Sequence, residues 1–227
     1  KPVAANLDVV LVVFAVVPEP FPNLIDRYLV AIESLGLHAA LVLNKADLIT
    51  TATSDIDGIL SVYQHLGYPV FRVSAETGDG IGALADFLSG KTTVLVGQSG
   101  VGKSSLINRL AGDLGPDLTA EVGALSVGKD KGTHTTTTAR LFHLPGCDLI
   151  DSPGIREFNT GTLSPEQICQ GFPELRALQG QCRFRNCRHQ GDPGCALEAA
   201  VAANSIAPSR WQSFQRMLGG QSGGVGE

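Results

Sequence analysis

The sequence lacks the features that mark several broad classes of protein. No apolar run reaches the roughly 20 residues of a membrane-spanning helix. The longest run, residues 7–17, begins beside Asp8 and ends at Pro18, which is typical of a buried parallel strand. Basic residues (17) are fewer than acidic ones (22), and the net charge of −5 argues against strong nucleic-acid binding by this chain alone. The chain starts at Lys1 rather than Met and shows no signal-peptide pattern there, so we expect an N-terminal portion to be missing.

Cysteine is scarce and unevenly distributed. The chain has five cysteines, an odd number, and three of them lie within residues 182–195. This crowding favours metal binding over disulfides, and it fits a reducing, cytoplasmic location. The length of 227 residues and the 43% hydrophobic content allow one α/β domain with a sizeable core and a small addition.

Apolar β-rich runs alternate with helical patterns over the first two thirds of the chain. This alternation predicts βαβ units and a mainly parallel sheet. A first helix is predicted with Asn23 as its N-cap and Gly36 at its end, and Gly67 is predicted to stop a second one. A fourth helix is predicted to begin at residues 102–103, and before it a short third helix that carries Ile81, Leu84 and Leu88. The predicted strands read LDVVLVVFAV, AALVLNK, VFRVSA, TTVLVGQ, TTARLFHL and DLIDSP.

The pattern changes after residue 155 and becomes helical. Residues 164–167, Ser-Pro-Glu-Gln, form a predicted capping box with Pro165 at the first helical position. A last helix is predicted from Pro208, and the Gly-rich residues 219–227 form a flexible tail. We therefore predict an α/β domain over residues 1–157 and a small helical domain over residues 158–227.

Residues 97–104 fit the phosphate-loop pattern G-x-x-x-x-G-K-[ST], between a predicted strand and a predicted helix. Backbone N–H groups of such a loop face phosphate oxygens at a helix N-terminus, although an ordinary Gly-rich turn is the alternative. Lys103 is predicted to reach the β- and γ-phosphates as part of the catalytic machinery, and the Ser104 hydroxyl to bind Mg²⁺. The predicted nucleotide-binding residues of this segment are Gly97, Gln98, Ser99, Gly100, Val101, Gly102, Lys103, Ser104 and Ser105.

Two further segments predict recognition of guanine. Asn44, Lys45 and Asp47 form N-K-x-D, in which the Asp47 carboxylate accepts hydrogen bonds from the N1–H and N2 amino group of guanine. Adenine cannot supply that pair of donors and would leave the carboxylate unsatisfied. Asn44 would brace the phosphate loop and the base, and the Lys45 stem would pack along the ring. The alternative is a polar strand end. Ser74 and Ala75 open SAETG, which resembles a second guanine loop with the Ala75 N–H on the guanine O6.

Two segments resemble nucleotide switches. Asp151 to Gly154 fits D-x-x-G, with Asp151 holding Mg²⁺ through water and the Gly154 N–H sensing the γ-phosphate. Ile155 follows, and it cannot orient the attacking water as a Gln can, so either hydrolysis is poor or another group positions the water. In the Thr-rich segment, one threonine of residues 135–138, assigned as Thr136, is predicted to bind Mg²⁺ in the GTP state and to serve catalysis. His134 is either a solvated loop histidine or the group that positions water.

The cysteine-rich segment predicts a metal site. Cys182, Cys187, His189 and Cys195 follow C-x4-C-x-H-x5-C. Three thiolates and one imidazole make a closed tetrahedral zinc site of the structural kind, which would supply folding energy to a small domain with a thin core. The alternative is a set of scattered buried cysteines. Three arginines between these residues form either a solvated face or a phosphate-contacting patch: Arg183, Arg185 and Arg188.

The order of the motifs is that of an ordinary GTPase whose chain has been cut and rejoined, since N-K-x-D and S-A-E precede the phosphate loop, the Thr-rich segment and D-x-x-G. The sequence resembles the circularly permuted GTPases in five motifs and in the C-x4-C-x-H-x5-C segment. The motifs are NKADL, SAETGDG, GQSGVGKSSLIN, GTHTTTTARLFHL and DSPGIREF. Among these GTPases it resembles the ribosome small-subunit-dependent GTPase A family (RsgA, also called YjeQ). The resemblance implies an α/β, circularly permuted P-loop GTPase domain with a mainly parallel sheet, followed by a small helical zinc-binding domain.

The resemblance also implies an activity and partners. It implies a monomeric, non-membrane GTP hydrolase that uses GTP/GDP, Mg²⁺ and Zn²⁺ and acts in late maturation of the small (30S) ribosomal subunit. That subunit would stimulate hydrolysis, and 16S rRNA would be bound partly through an N-terminal OB-type domain that this chain lacks. His134 would be the catalytic group. The alternative is a GTP-dependent scaffold with incidental hydrolysis, which Ile155 favours, whereas Asp47 disfavours an ATP-using enzyme. The D-x-x-G segment leads directly into the predicted zinc-binding domain. We therefore expect that domain to move when the bound nucleotide changes between GDP and GTP.

Overall fold

The computed structural model describes residues 7–50, 55–112, 140–151 and 163–219. The chain divides into two compact units, one of Lys1–Pro20 with Leu37–Glu157 and one of Phe21–Gly36 with Phe158–Glu227. The strands are β1 Val9–Ala15, β2 Ala39–Asn44, β3 Val70–Arg72, β4 Thr92–Val96, β5 Arg140–Leu144 and β6 Cys147–Asp151. The helices are α1 Pro22–Ser34, α2 Ile56–His65, α3 Ile81–Leu88, α4 Lys103–Ala111, α5 Pro165–Gln170, α6 Pro173–Arg176, α7 Ala196–Ala202 and α8 Pro208–Leu218.

Among these helices, none is long and apolar enough to cross a lipid bilayer.

The first unit is built on a six-stranded sheet in the order β3-β2-β1-β4-β6-β5. β1 pairs in parallel with β2 and with β4, and every one of its residues is buried. Continuous burial explains why this strand reads as an unbroken apolar run rather than an alternating one. β5 alone among these strands runs antiparallel, because only two residues separate it from β6 and a parallel pair needs a long crossover. The sheet is therefore mainly parallel, as predicted.

The apolar stripes of α3 and α4 are part of the core of the first unit. Leu84 and Leu88 of α3 and Leu106 of α4 are fully buried in one cluster with Leu11 of β1 and Leu95 of β4. The 3.6-residue periodicity of these helices is what brings their leucines onto one face. The cluster holds the N-terminus of α4, where the phosphate loop ends, against the sheet.

The second unit packs α1 with the helices of the C-terminal region. Val30 of α1 belongs to one buried cluster with Ile168, Phe172, Leu175 and Phe214. The Phe172 and Phe214 rings meet edge to face, with centroids 5.6 Å apart, a geometry that aromatic pairs prefer. A helix that follows β1 in the chain is thus a core member of the C-terminal unit.

A buried ionic network lies in the same unit. Arg210 of α8 is 1% exposed, and its guanidinium donates to Asp26 Oδ1 at 2.6 Å and to the Glu174 carboxylate at 2.7 and 3.1 Å. The guanidinium carbon also lies 4.4 Å from the centroid of the Phe172 ring. Burial alone would lower the pKa of Arg210, but Asp26 and Glu174 outweigh it and raise that pKa above its ordinary value. The network holds α1, α6 and α8 together through paired charges.

The predicted helix boundaries hold with one correction. α1 and α2 end just before Gly36 and Gly67, α8 begins at Pro208, and the Ser164 capping box is present with both of its hydrogen bonds. Asn23, however, does not cap α1. The N-cap is Phe21 and the helix starts at Pro22, because the fixed φ of proline suits the first helical position.

Candidate nucleotide-binding site and metal centre

The phosphate loop connects β4 to α4, as its sequence predicts. Gly102 precedes the first residue of α4 with φ +89°, and a Cβ on it would lie 2.4 Å from Asn44 Nδ2, so only glycine fits there. The Lys103 ammonium donates to the carbonyls of Gly97 and Gln98, each at 2.8 Å. A glycine-rich loop that ends in a helix N-terminus is the arrangement that binds phosphate.

Asn44 connects the three nucleotide motifs. Its side chain, at the carboxyl end of β2, is 1% exposed. Nδ2 donates to the Val101 carbonyl of the phosphate loop at 2.9 Å, and Oδ1 accepts from the Ala75 N–H at 3.0 Å. Both bonds are buried or partly buried, where hydrogen bonds fix geometry most firmly. N-K-x-D, the phosphate loop and SAETG therefore meet at one place, although 57 residues separate Asn44 from Val101.

Lys45 and Asp47 extend from this junction. Lys45 has the left-handed conformation, with φ 59°, and its ammonium donates to the Gly100 and Val17 carbonyls, each at 2.7 Å. Asp47 is exposed, and its Oδ1 accepts the Ser74 hydroxyl at 2.5 Å. The carboxylate that the sequence predicts to read the base is thus oriented by Ser74 of the SAETG loop yet remains accessible to a ligand.

The SAETG loop, which contacts Asp47 through Ser74, carries backbone N–H groups on Ala75 and Glu76. The Ser74 side chain is fully buried and its hydroxyl accepts the Thr77 N–H at 3.0 Å. The Ala75 N–H, which the sequence assigns to guanine O6, donates to Asn44 Oδ1. The next N–H, that of Glu76, has no acceptor among the described parts of the chain. Within the described ranges, the loop therefore has a backbone donor beside Ala75 that a ligand could use.

Asp151 and Ser104 are the described members of the predicted Mg²⁺ site. Asp151 ends β6 opposite Leu95 of β4, and its Oδ1 is buried without a hydrogen-bond partner in the described ranges. A buried carboxylate oxygen that lacks a protein donor fits a water-mediated Mg²⁺ contact. Ser104, the second residue of α4, is exposed. The other predicted switch residues lie outside the described residues: His134, Thr136, Gly154 and Ile155.

Cys182, Cys187, His189 and Cys195 form one cluster in the second unit, in which all ligand atoms lie within 4.8 Å of one another. His189 Nδ1 lies 3.7, 3.4 and 3.3 Å from the three Sγ atoms in chain order. A tetrahedral zinc ion, with Zn–S of about 2.3 Å and Zn–N of about 2.0–2.1 Å, requires S and N to be about 3.5 Å apart. The residues therefore fit zinc in a closed tetrahedral site.

Surrounding groups hold the Cys/His loop in shape. Asp192 Oδ2 accepts the Arg188 N–H at 2.8 Å, and this bond lowers the pKa of the Asp192 carboxyl. The Ala196 N–H points at Cys182 Sγ at 3.4 Å, as amide donors do around metal thiolates. Gln215 of α8 donates to the His189 carbonyl at 2.6 Å. These bonds fix the loop from outside the four ligands.

Among the contacts that the sequence does not predict, two involve groups outside every motif. The Val17 carbonyl accepts from Lys45, and the Gln215 side chain donates to His189. Neither has a motif, since a carbonyl carries no residue signature and a glutamine on an amphipathic helix is most often solvated. Only the strand pairing and the helix packing bring these groups to their partners.

Comparisons with known proteins agree with this geometry. The family model described as RsgA GTPase matches residues 1–161. The small ribosomal subunit biogenesis GTPase RsgA of Chromohalobacter salexigens is 53% identical over 97% of this chain and 64% of the relative. The protein of the same name from Pseudomonas putida is 54% identical over 96% of this chain and 63% of the relative. This chain thus spans less than two thirds of these curated relatives.

Solved structures show the same fold. YjeQ from Thermotoga maritima matches with a TM-score of 0.75 and 33% identity over 94% of this chain and 70% of that one. YloQ, described as a circularly permuted GTPase, matches with a TM-score of 0.74 and 27% identity over 94% of this chain and 68% of that one. The motif order, the shared junction at Asn44 and these matches lead to one conclusion: the chain belongs to the RsgA GTPase family.

Proposed function

We propose that this chain binds GTP and GDP, hydrolyses GTP to GDP and phosphate, and acts in the cytoplasm in late maturation of the small ribosomal subunit. The observation that carries the proposal is the Asn44 junction, which holds the phosphate loop and both guanine segments together. The names of the relatives, small ribosomal subunit biogenesis GTPase RsgA, support the biological role.

Each site residue has a chemical task in this proposal. Asp47 accepts the N1–H and N2 donors of guanine while Ser74 orients it, and the Lys45 stem lies along the ring. Lys103 turns from the Gly97 and Gln98 carbonyls towards the β- and γ-phosphates. His134 positions the attacking water, a task for which Ile155 has no polar group.

Ser104, Asp151 and Thr136 are the residues that would hold Mg²⁺. When bound, Mg²⁺ neutralises charge that develops on the phosphate oxygens. Oδ1 of Asp151 is buried and has no hydrogen-bond partner among the residues that the structure describes, which supports its part in this set.

The cysteine-rich loop supports a ribosomal RNA partner. Arg183, Arg185 and Arg188 are exposed, and among the described residues none of them forms an ion pair with an acidic side chain. Phe184 between them is 47% exposed, with the Arg183 guanidinium 5.4 Å from its ring centroid. Guanidinium groups contact phosphates and an exposed aromatic ring stacks on unpaired bases. This local surface suits 16S rRNA although the whole chain is acidic.

Zinc, bound by Cys182, Cys187, His189 and Cys195, has a structural task in the proposal. Its closed donor set provides no open position for a substrate, so it would stabilise the loop that carries the arginines.

The test is steady-state GTP hydrolysis by the full-length protein, with and without purified small ribosomal subunits and with large subunits as the control. We expect slow hydrolysis alone and strong stimulation by small subunits only, since external activators of GTPases supply roughly 10³–10⁵-fold. Tight GTP binding without stimulation would instead favour the scaffold, the second candidate that Ile155 supports. Failure to bind GTP would overturn the nucleotide site itself.

A further inference from the structure

We infer that Arg109 is a positioning residue for guanine recognition, acting through the SAETG loop without touching the nucleotide. The inference rests on the proposed function, because it concerns how the same site selects its base. Arg109 belongs to α4, the helix that begins at the phosphate loop, and none of the nucleotide motifs includes it.

The contact is specific in geometry. Arg109 Nη2 donates to the Glu76 carbonyl at 2.9 Å, across 33 residues of sequence. The guanidinium also packs against Gly78, where a Cβ would lie 2.9 Å from Nη2 and 3.3 Å from the guanidinium carbon. Gly78 has φ +89°, so its lack of a side chain both permits the loop conformation and leaves room for the arginine.

The contact between Arg109 and the Glu76 carbonyl adds to the hydrogen bonds that hold the peptide groups around Glu76. The peptide before Ala75 is held by Asn44 through the Ala75 N–H. The peptide after Glu76 is held at both ends, by Arg109 on the Glu76 carbonyl and by Ser74 Oγ on the Thr77 N–H. Between them lies the Glu76 N–H, which no described residue accepts. Arg109 therefore fixes the loop on the C-terminal side of this donor, and Ser74 of the same loop contacts Asp47, the residue proposed to read the base.

A free backbone N–H at this position selects for the acceptor that guanine carries at position 6, since adenine carries an amino group there. α4 thus serves both ends of the nucleotide: its N-terminus holds the phosphate loop and its last turn holds the base loop. The competing explanation is that Arg109 only stabilises the helix C-terminus through the helix dipole. That role would alter stability without altering the preference between bases.

The two roles differ in what an Arg109→Ala variant does to three diphosphates. GDP and inosine diphosphate carry O6, whereas 2-aminopurine riboside diphosphate carries only hydrogen there. We expect Arg109→Ala to lower the affinity for GDP and for inosine diphosphate by the same factor, about three- to tenfold. The affinity for 2-aminopurine riboside diphosphate should stay unchanged. Arg109→Lys should recover most of the loss because it still donates to the Glu76 carbonyl. Asn108→Ala, at an exposed neighbour on the same helix, is the matched control.

The measurements are equilibrium dissociation constants at fixed Mg²⁺, with thermal unfolding to verify that each variant is folded. An equal loss for all three nucleotides, or no loss for GDP, would overturn the positioning role while leaving the GTPase proposal intact. If the unaltered chain bound none of the three, the nucleotide site would be wrong and the assignment of Arg109 with it.

Discussion

At the scale of single residues, Asp47 gives the most direct test of base reading. Asp47→Asn replaces an acceptor by an amide, which cannot accept from both guanine donors but can donate to the O2 of xanthine. We expect GDP affinity to fall by at least about 100-fold and xanthosine diphosphate to become the better ligand. Competition binding with both nucleotides measures this. Asp57→Asn, at an exposed aspartate that pairs with Arg72, is the control, and unchanged GDP affinity in Asp47→Asn would contradict the role.

His134 distinguishes an enzyme from a scaffold. Since Ile155 has no polar group for the attacking water, His134→Ala should lower the stimulated hydrolysis rate by about 10²–10⁴-fold, the usual contribution of a positioned acid–base group. GTP affinity should stay the same. The comparison is His143→Ala, because His143 lies in the β5–β6 hairpin with its Nδ1 2.7 Å from Asp148 Oδ1. Full stimulated activity in His134→Ala would remove it from the mechanism.

The sequence predicted these residues because each belongs to a short motif whose chemistry is local. Asp47, Lys103 and Asp151 are recognisable within a few neighbouring residues. Arg109 is different, since its partner Glu76 is 33 residues away and the contact is to a backbone carbonyl. No sequence pattern records a side chain that holds a carbonyl on another element, so such supporting residues emerge only from the structure.

At the scale of elements, the Cys/His loop should depend on its metal. We expect Cys187→Ser to lose bound zinc and to lower the Tm by at least about 5 °C, since structural zinc contributes folding energy. Metal content and thermal unfolding measure the two effects, and a chelator should reproduce them on the unaltered protein. Cys147→Ser, at a half-buried cysteine outside the cluster, should change neither quantity. Full zinc content in Cys187→Ser would contradict the four-ligand assignment.

The buried network between α1, α6 and α8 should outweigh an exposed ion pair of the same unit. Arg210→Met leaves Asp26 and Glu174 with buried or nearly buried carboxylates that lose their cation, which costs about 3–5 kcal/mol of unfolding free energy. Arg176→Met is the matched variant, because Arg176 is 46% exposed and pairs with Glu33 at 3.3 Å. It should cost less than about 1 kcal/mol. Denaturant unfolding measures both, and equal costs would show that burial does not set the strength of the network.

Element type was more predictable from sequence than element boundaries and partners. Apolar runs and 3.6-residue stripes predicted the central strands and the main helices because burial imposes those periods. The predicted start of α1 was wrong. Asn23 and Pro22 both suit the start of a helix, and the helix begins at Pro22. The antiparallel direction of β5 follows from its two-residue link to β6, which shows only once both strand ends are known.

At the scale of the whole molecule, strand ends explain why the permuted order is tolerated. Asn44, the phosphate loop and Asp151 lie at the carboxyl ends of β2, β4 and β6, which are parallel to one another through β1 and β4. Carboxyl ends of parallel strands meet at one edge of a sheet, where α/β proteins bind their ligands. The site depends on which strands are neighbours, so the order of the motifs along the chain is free to change.

The division of the chain into compact units includes a segment that the sequence does not point to. The sequence predicts a boundary near residue 157, but the second compact unit also includes residues 21–36. Within the sequence, α1 resembles an ordinary crossover helix between two strands. Its buried Asp26 pairs with Arg210, which lies 184 residues later, and no local pattern connects the two.

This membership of α1 predicts that residues 1–157 do not form a self-sufficient domain. A chain shortened to residues 1–157 keeps α1 but loses Arg210, the ion-pair partner of Asp26. It also loses the apolar partners of Val30, including Phe172 and Phe214. An apolar face that loses its cover makes a chain prone to associate. We therefore expect the shortened chain to aggregate or unfold at a lower denaturant concentration than the whole chain.

Size-exclusion chromatography, denaturant unfolding and GDP binding measure the effect of this shortening. A chain of residues 1–219, which lacks only the Gly-rich end, is the control and should behave like the whole. Adding residues 158–227 as a separate, zinc-loaded fragment should restore a monodisperse complex, because the fragment supplies Arg210 and the apolar partners of α1. If residues 1–157 alone were monomeric, bound GDP with unchanged affinity and unfolded at the same midpoint, α1 would not need the C-terminal helices, and the chain would divide at residue 157 after all.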